Sequence, residues 1–259
     1  MAAVRVATYN VWEGGEGRLE DVAAVVRAFD ADAVAIVEAT NRANLDELAR
    51  LVGMETVFGE ANLGVHLAWL TRLPVRRSRN HRPPLLAKTL LEIEVESDVG
   101  PMRVFATHLA SRHDPRPPSE EIPAVLEVLR AAGDAPHALV GDFNALAVGD
   151  PVGDPPGGVE RRGEAVDGVP RLAIGPLLEA GYVDCFRALH PDEPGYTYLA
   201  WAPWLRLDYV FASPGLAPRL VACDVVSDEP AARASDHLPV LAEFGVSRTA
   251  AAQARARPA

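Results

Sequence analysis

The chain has 259 residues, and 49% of them are hydrophobic, so it can bury a large core and is not intrinsically disordered. It carries 25 basic and 36 acidic residues, which gives a formal net charge of -11. That balance argues against a protein that holds nucleic acid mainly through a basic surface, because such binding depends on neutralising phosphates. It does not exclude a nuclease, since bound metal ions would offset clustered carboxylates.

The amino-terminal segment MAAVRVATYN alternates like a strand, so we expect no cleavable secretory signal. No apolar run reaches about 18 residues, so we expect no ordinary membrane-spanning helix. The two cysteines are too few for a disulfide framework in a chain of this length. Together these features predict a cytoplasmic protein without stable membrane insertion.

Short apolar strand patterns alternate with helical patterns along the chain. In chain order, we predict a strand at Val4–Thr8, a helix at Leu19–Phe29, a strand at Ala33–Val37, a helix at Asn44–Val52, strands at Val65–Leu70, Leu86–Val95 and Arg103–Thr107, a helix at Ser119–Ala132, and strands at Ala138–Val140, Leu207–Phe211, Leu220–Val226 and Val240–Phe244. In the third helix, Ser119 suits the N-cap and Pro123 falls in the first turns.

A weak internal repeat relates the two halves of this pattern. The series VRVATYN, helix, AVAIVEA resembles the series RVFATHLA, helix, HALVGDFNA. The repeat predicts two similar sheet halves that pack face to face with helices outside, in a strand-rich mixed α/β chain. We expect a single domain over residues 1–248, followed by a disordered tail at residues 249–259.

Two internal segments have the composition of loops. Ser111–Pro118 is a proline-rich turn, and Asp150–Pro170 is rich in Gly and Pro without any apolar period. The second segment is long enough to be a lid, a specificity loop or a mobile insertion, and its composition does not choose among them.

Polar residues at strand ends carry the chemical signal of the sequence. Five motifs end an apolar strand in Asn, Glu, His or Asp: TYNVW, AIVEAT, FATHLAS, LVGDFNA and SDHLPV. A sixth motif, RLDYVF, places Asp208 inside a strand, where a carboxylate is costly to bury without a partner. Carboxylates, carboxamides and imidazoles together suit a hard divalent cation, Mg²⁺ or Mn²⁺, and a phosphate ester. The P-loop and the GxSxG motif are both absent, which argues against P-loop nucleotide hydrolases and serine hydrolases.

In this order, the motifs resemble the endonuclease/exonuclease/phosphatase superfamily, which has the deoxyribonuclease-I-like fold. The resemblance extends from Val4 to Phe244, and GDFNA and SDHLPV are its most specific signals. It implies a four-layer α/β/β/α sandwich of the α/β (α+β) class, which agrees with the internal repeat.

The resemblance implies a metal site and a catalytic set. Glu38 matches the main metal-binding glutamate and Asp236 the metal-side aspartate, while Asn10 matches an asparagine near both the metal and the scissile phosphate. The remaining matches are Asp142 and Asn144, which activate the attacking water and hold the phosphate; His108, which contacts the phosphate or helps protonate the leaving group; and Asp208, which orients the catalytic His237.

Some positions depart from the family pattern or leave alternatives open. Trp12 stands where other members have Asp or His, which makes a second metal site less secure. His66 replaces a common Gly, and it either packs in the ordinary way or faces the substrate. The basic run at residues 72–82 is either a solvated strand and loop or a phosphate-steering patch. Trp201 and Trp204 either pack under the sheet or contact a base, a lipid or a sugar.

We therefore expect a divalent-metal-dependent phosphoesterase that hydrolyses a phosphodiester or phosphomonoester by metal-assisted attack of water. Its substrate partner is a phosphate ester of a small molecule, a lipid headgroup or a nucleic acid. A nuclease acting on DNA or RNA is one alternative, and a catalytically weak binding protein of the same fold is another. The sequence identifies no protein partner, and it leaves the metal count and the oligomeric state open.

Overall fold

A computed structural model describes residues 3–97, 99–133, 135–157 and 169–245 of the chain. The strands are β1 (Ala3–Asn10), β2 (Ala33–Val37), β3 (Glu55–Gly59), β4 (Leu67–Thr71), β5 (Val75–His81), β6 (Leu90–Val95), β7 (Met102–His108), β8 (His137–Asp142), β9 (Val183–Asp184), β10 (Asp208–Ala212), β11 (Leu220–Val225) and β12 (Val240–Gly245). The α-helices are α1 (Leu19–Phe29), α2 (Arg42–Val52), α3 (Ile122–Arg130), α4 (Gly175–Glu179), α5 (Cys185–Leu189) and α6 (Glu229–Ala234). None of these helices is both long and apolar enough to cross a membrane.

The strands form two six-stranded sheets, in the orders β11-β12-β1-β2-β4-β3 and β5-β6-β7-β8-β10-β9. Each sheet contains one parallel pair, β1 with β2 in the first and β7 with β8 in the second. Helix α1 connects the first pair and α3 connects the second. The internal repeat in the sequence therefore corresponds to two strand–helix–strand units, one in each sheet.

The two sheets pack face to face around an apolar inner layer. Strand alternation sends Val6 and Trp69 of the first sheet into this layer, where they join Ile93 and Val140 of the second. The Trp69 indole Nε1 also donates a hydrogen bond across the layer to the Leu91 carbonyl, at 3.0 Å.

The outer face of each sheet is covered by helices. Helices α1, α2 and α6 cover the first sheet, where Val26 and Leu48 pack in the same cluster as Ile36. Helices α3 and α4 cover the second sheet, where Val125 packs in the same cluster as Phe105. These layers form the predicted four-layer α/β/β/α sandwich.

Predicted elements with a clear apolar period match the structure closely, and the predicted bounds of α1 and β2 are those observed. Strands β3 and β9 and helices α4, α5 and α6 were not predicted. Strand β5 lies within the basic run at residues 72–82, for which a solvated strand and loop is one of the two interpretations. The residues of β5 are largely exposed and basic, because this strand lies at a sheet edge, so it lacks an apolar alternation. The short helices have five or six residues, less than two helical turns, and so present no period.

Two local predictions were wrong. Ser119 is not an N-cap, because it lies within a short 3-10 helix, Pro118–Glu120, that precedes α3. Pro123 does fall at the start of α3, where its missing N–H leaves no bond unmade. Asp208 is the first residue of β10 and not an interior one. The tail at residues 249–259, the end of the predicted domain at residue 248 and most of the Asp150–Pro170 segment (residues 158–168) lie outside the described residues.

Gly141 allows β7 and β8 to run side by side up to their ends. It pairs with Thr107 in the parallel register and has a φ of 146°. A Cβ at this position would lie 1.8 Å from the Thr107 carbonyl oxygen, which no side chain can accommodate. The next pair in the register is His108 with Asp142, so this close approach determines how two predicted site residues are placed.

We expect Gly141→Ala to lower the free energy of unfolding by about 3 kcal/mol or more, because the Cβ clash adds to an unfavourable φ. Gly149→Ala is the matched control, since Gly149 has a φ of 90° but no heavy atom near its Cβ position. It should cost only about 1–2 kcal/mol. Urea unfolding of both variants checks this, and equal losses would contradict the steric explanation.

Candidate active site

Four predicted site residues lie where neighbouring strands end. Asn10 ends β1 and Glu38 directly follows β2, whereas His108 ends β7 and Asp142 ends β8. Since the carboxyl ends of parallel strands meet at one sheet edge, each sheet contributes two polar side chains to the same side of the sandwich.

The other predicted residues come from antiparallel neighbours and turns. Asp208 begins β10 directly opposite Asp142 in the antiparallel register. Asp236 and His237 lie in the turn between α6 and β12. Asn144 follows β8 by two residues.

The Asn10 side chain connects the two sheets. Its Nδ2 lies 3.1 Å from Glu38 Oε1, on its own sheet, and 3.1 Å from Asp142 Oδ2, on the other. Its Oδ1 accepts a hydrogen bond from the Trp12 N–H at 3.0 Å. The amide nitrogen is thus a donor to two carboxylates, and the amide oxygen keeps a second lone pair beside its bond to Trp12.

Asp142 is an almost fully enclosed carboxylate. It is 1% exposed, and its Oδ1 accepts the Asn144 backbone N–H at 2.9 Å. Its Oδ2 lies 3.6 Å from His108 Nε2 and 3.8 Å from His237 Nε2. Burial raises the pKa of Asp142, the His237 charge opposes this rise, and the Asp208 charge adds to it.

His237 is held by Asp208 on the side away from Asp142. His237 Nδ1 lies 2.8 Å from Asp208 Oδ2, and both side chains are buried. Burial alone would lower the pKa of the imidazole, but the carboxylates of Asp208 and Asp142 raise it to about 10. The ring is therefore an imidazolium at neutral pH in the metal-free protein, and its Nε2 points toward Asp142.

His108 has the opposite electrostatic environment. Burial, together with the positive charges of Lys88 and His237, lowers its pKa well below the usual value. It is therefore neutral at physiological pH. Its Nδ1 is buried and has no hydrogen-bond partner within the described protein.

Glu38 and Asp236 are two carboxylates that face the same region. Glu38 Oε2 accepts the Glu13 backbone N–H at 2.8 Å, which orients the carboxylate. Burial raises the pKa of Asp236, and although the His237 charge lowers it, the nearby Glu38 charge raises it further. A cation beside the two carboxylates would offset this repulsion, and carboxylate oxygens are the ligands that Mg²⁺ and Mn²⁺ prefer. The donor set therefore fits a hard divalent metal.

A second grouping of potential ligand atoms adjoins the first. Among the described residues, Asp142, Asp208 and His237 each offer one ligand atom within 4.8 Å of the others. In this grouping His237 Nδ1 and Asp208 Oδ2 are hydrogen-bonded to each other, which leaves His237 Nε2 and Asp208 Oδ1 outside that bond.

Backbone strain is concentrated around these side chains. Among the described non-glycine residues with positive φ, Trp12, Glu13, Glu38 and Asn144 belong to the site or contact it, at φ values from 47° to 64°. Such conformations cost roughly 1–3 kcal/mol each and persist only where surrounding contacts impose them. The strained segments are those that direct Glu38 and Asn144 into the site.

The sequence did not predict several residues that support the site. The Ser235 hydroxyl donates to the Asn10 carbonyl at 2.6 Å, and the Thr197 hydroxyl accepts the Asp208 N–H at 3.2 Å. The Tyr198 ring lies 4.9 Å from the His237 ring, between centroids. Ser235 lies within SDHLPV, but Thr197 and Tyr198 belong to no motif and approach the site through tertiary contacts alone.

The aromatic and histidine alternatives are resolved individually. Trp204 is buried, which confirms the packing interpretation for that residue, whereas Trp201 is 54% exposed. His66 packs edge-on against Phe58 and its Nδ1 accepts the Ala61 N–H at 3.0 Å, so it has ordinary structural contacts.

Comparisons with known proteins bear on the family and the fold of the chain. The model of the family described as the Endonuclease/Exonuclease/phosphatase family matches residues 7–237 of the chain. A curated relative, a DNA repair nuclease named APEX1 from Danio rerio, is 33% identical over 114 residues. That match covers 40% of this chain and 35% of the relative, so the chain spans only about a third of the relative's length.

Solved structures share the fold along nearly the whole chain. An AP endonuclease from Archaeoglobus fulgidus has a TM-score of 0.73 at 22% identity, covering 94% of this chain and 100% of that one. A 3′ phosphatase from Neisseria, solved with a product DNA hairpin, has a TM-score of 0.71 at 22% identity, covering 93% and 99%. At such identities the likeness shows the fold, and it confirms the predicted deoxyribonuclease-I-like architecture.

We expect the His237 imidazole of the metal-free protein to titrate above about pH 9, because two carboxylates stabilise its charged form. Asp208→Asn removes one of them and should lower the titration by at least about one pH unit. Asp224→Asn, at an exposed position on β11, is the matched control and should leave the His237 titration unchanged. Histidine NMR titrations of the three proteins measure this.

The same pairing has a consequence for stability. The folded-state pKa of His237 exceeds the unfolded value of about 6.5, so its contribution is fully present below that pH and is lost as the pH rises toward 10. An Asp208→Asn variant in which the imidazole still titrates near pH 10 would contradict this account of the pair.

Proposed function

The chain belongs to the endonuclease/exonuclease/phosphatase family, and we propose that it is a divalent-metal-dependent phosphoesterase that hydrolyses a phosphodiester or phosphomonoester by metal-assisted attack of water. One observation carries the proposal: Asp142, buried with a raised pKa, lies 3.8 Å from an imidazolium, His237, that Asp208 holds in place. A proton acceptor beside a fixed cation is the arrangement that hydrolysis of a phosphate ester needs.

Asp142 is the proposed general base. Its pKa is raised above that of an ordinary aspartate, toward neutral pH. The carboxylate is therefore a stronger base and a better acceptor for a proton from the attacking water. The hydrogen bonds from Asn10 and the Asn144 backbone fix its orientation. We propose that the Asn144 side chain contacts the phosphate.

His237 is the proposed electrostatic stabiliser of the transition state. Its imidazolium can donate from Nε2 to a phosphoryl oxygen on which negative charge increases. Asp208 maintains both the charge and the orientation of the ring. His108, kept neutral by its surroundings, would contact the phosphate as a hydrogen-bonding group and would not act as a cation.

Glu38 and Asp236 are the residues that would hold the metal, Mg²⁺ or Mn²⁺. When bound, the cation polarises a phosphoryl oxygen and offsets the developing charge. Asn10 is close enough to Glu38 to orient its carboxylate by donation, and its amide oxygen is a further candidate ligand. The like-charge pair of Glu38 and Asp236 supports the assignment.

The substrate class is a phosphate ester of a nucleic acid, a lipid headgroup or a small molecule. Nuclease action on DNA or RNA is favoured by one specific observation: Trp201 is 54% exposed and follows Ala200, whose N–H donates to the Asp236 carbonyl at 2.7 Å. An exposed indole beside the site can stack on an unpaired base. The solved Neisseria relative was bound to DNA, which agrees with this alternative.

We expect Glu38→Gln to raise the Mg²⁺ concentration needed for half-maximal activity by about tenfold or more, because one anionic ligand is lost. Glu13→Gln is the matched control, since Glu13 contacts the site only through its backbone N–H. Calorimetric titration of Mg²⁺ into each protein gives the affinity independently of turnover. Equal affinities in the two variants would exclude Glu38 as a ligand.

The decisive test is plasmid nicking and hydrolysis of bis(p-nitrophenyl) phosphate, with Mg²⁺, with Mn²⁺ and with EDTA. We expect metal-dependent activity that falls by about 10²–10⁴-fold in Asp142→Asn. Asp46→Asn, an exposed substitution on α2, is the control purified in the same way.

The outcomes separate the alternatives. Nicking lost in Asp142→Asn establishes a nuclease. Hydrolysis of the small ester with an intact plasmid moves the search to small phosphate esters and lipid headgroups. The absence of both activities, with DNA or nucleotide binding retained, would replace the proposal with the catalytically weak binding protein.

A further inference from the structure

Lys88 is the one lysine in the sequence, and it is buried directly behind the site. The residue is 2% exposed and lies two positions before the start of β6. Its Nζ lies 2.5 Å from Asp114 Oδ2 and 3.3 Å from the Leu109 carbonyl oxygen. A buried ammonium needs such partners, because an unpaired charge in the interior is strongly unfavourable.

The backbone of Leu109 connects this ammonium with the site. Its carbonyl also accepts the Asn144 side-chain Nδ2 at 3.1 Å. Its N–H donates to the Asp142 carbonyl at 2.9 Å, and it directly follows His108 in the chain. One residue, Leu109, therefore connects Lys88 with three residues to which we assign hydrolytic roles.

A second buried charge holds the same segment from the other side. Glu121 is fully buried, and its two carboxylate oxygens each accept a backbone N–H at 2.5 Å, one from Ala87 and one from Ala110. Ala87 and Ala110 adjoin Lys88 and Leu109 in the chain. The segment after β7 is thus held by Lys88 at the Leu109 carbonyl and by Glu121 at the Ala110 N–H.

Asp114 completes the network from the proline-rich turn. Besides Lys88, it accepts the Ser111 N–H at 2.7 Å and the Ser111 hydroxyl at 2.9 Å. The turn that follows Leu109 is therefore folded back onto the ammonium. Apolar side chains could fill this space without burying any charge. The charged groups found here therefore indicate a role in orienting the backbone that packing alone would not require.

We propose that Lys88 is a positioning residue for the hydrolytic site: by holding the Leu109 carbonyl, its ammonium sets the places of His108 and Asn144 around the scissile phosphate. This inference rests on the proposed function. It is supported by electrostatics, since after burial itself the Lys88 charge is the largest influence that keeps His108 neutral.

The kinetic test uses Lys88→Met and the double variant Lys88→Met/Asp114→Asn. Lys88→Met should lower kcat by about tenfold or more and leave KM within about twofold, because small displacements of groups around a reacting phosphate reduce the rate steeply. The double variant removes the carboxylate charge left behind, and it can still accept the Ser111 hydrogen bonds. It should regain stability in urea unfolding while kcat stays low.

Val125→Ala is the matched control, since it truncates a buried residue of α3 that is not part of this network. It should lower stability without lowering kcat. A Lys88→Met enzyme with kcat within about twofold of wild type would overturn the proposal. So would a kcat that recovers along with stability in the double variant, because Lys88 would then be structural only.

An activity-independent measurement separates this inference from the proposed function. In metal-free protein, the His108 imidazole and the Asn144 side-chain amide should shift in the NMR spectra of Lys88→Met and remain unchanged in Val125→Ala. Unchanged resonances in both variants would overturn the positioning role. If the wild type hydrolyses no phosphate ester while these shifts occur, the proposed function fails and the connection from Lys88 to the two side chains stands.

Discussion

The burial of one carboxylate, Asp142, is the constraint on which the rest of the site depends. An aspartate enclosed to this degree needs donors and positive charge close by, and the protein supplies an amide, a backbone N–H and an imidazolium. The imidazolium in turn needs Asp208, and Asp208 needs Thr197 at its backbone. Each of these partners satisfies one buried polar group and is itself a buried polar group that needs a partner. The residues of the cluster therefore depend on one another.

The sandwich makes such a cluster possible by separating apolar from polar positions. The interface between the sheets and the interfaces between sheets and helices are largely apolar, so the carboxyl ends of the parallel strands are where polar side chains can gather. Helices α1 and α3 return the chain so that each parallel pair ends on that side. The strained backbone at Glu38 and Asn144 then turns two more side chains inward.

The sequence was informative where a local rule applies. Polar residues that end apolar strands identified side chains that the structure brings together, and the repeat predicted the layers, because both follow from strand alternation and chain direction. It was silent where long-range contacts decide. Nothing near Lys88 in the sequence indicates that its ammonium reaches Leu109, and the edge strand β5 has no apolar pattern to find. The orientation of the Asn10 amide also depends on Trp12 and on a carboxylate 132 residues away.

The Asn10 amide touches one carboxylate on each sheet, so its two contacts span the inner layer of the sandwich. The gap between the sheets is set by side chains such as Trp69 and Val140, which belong to the apolar inner layer and not to the candidate site. A change of volume there would slide or part the sheets and stretch the span at Asn10. The thickness of the hydrophobic inner layer thus helps to set the geometry of the contacts at Asn10. Inner-layer residues on the two sheets must therefore change in a compensated way over evolutionary time.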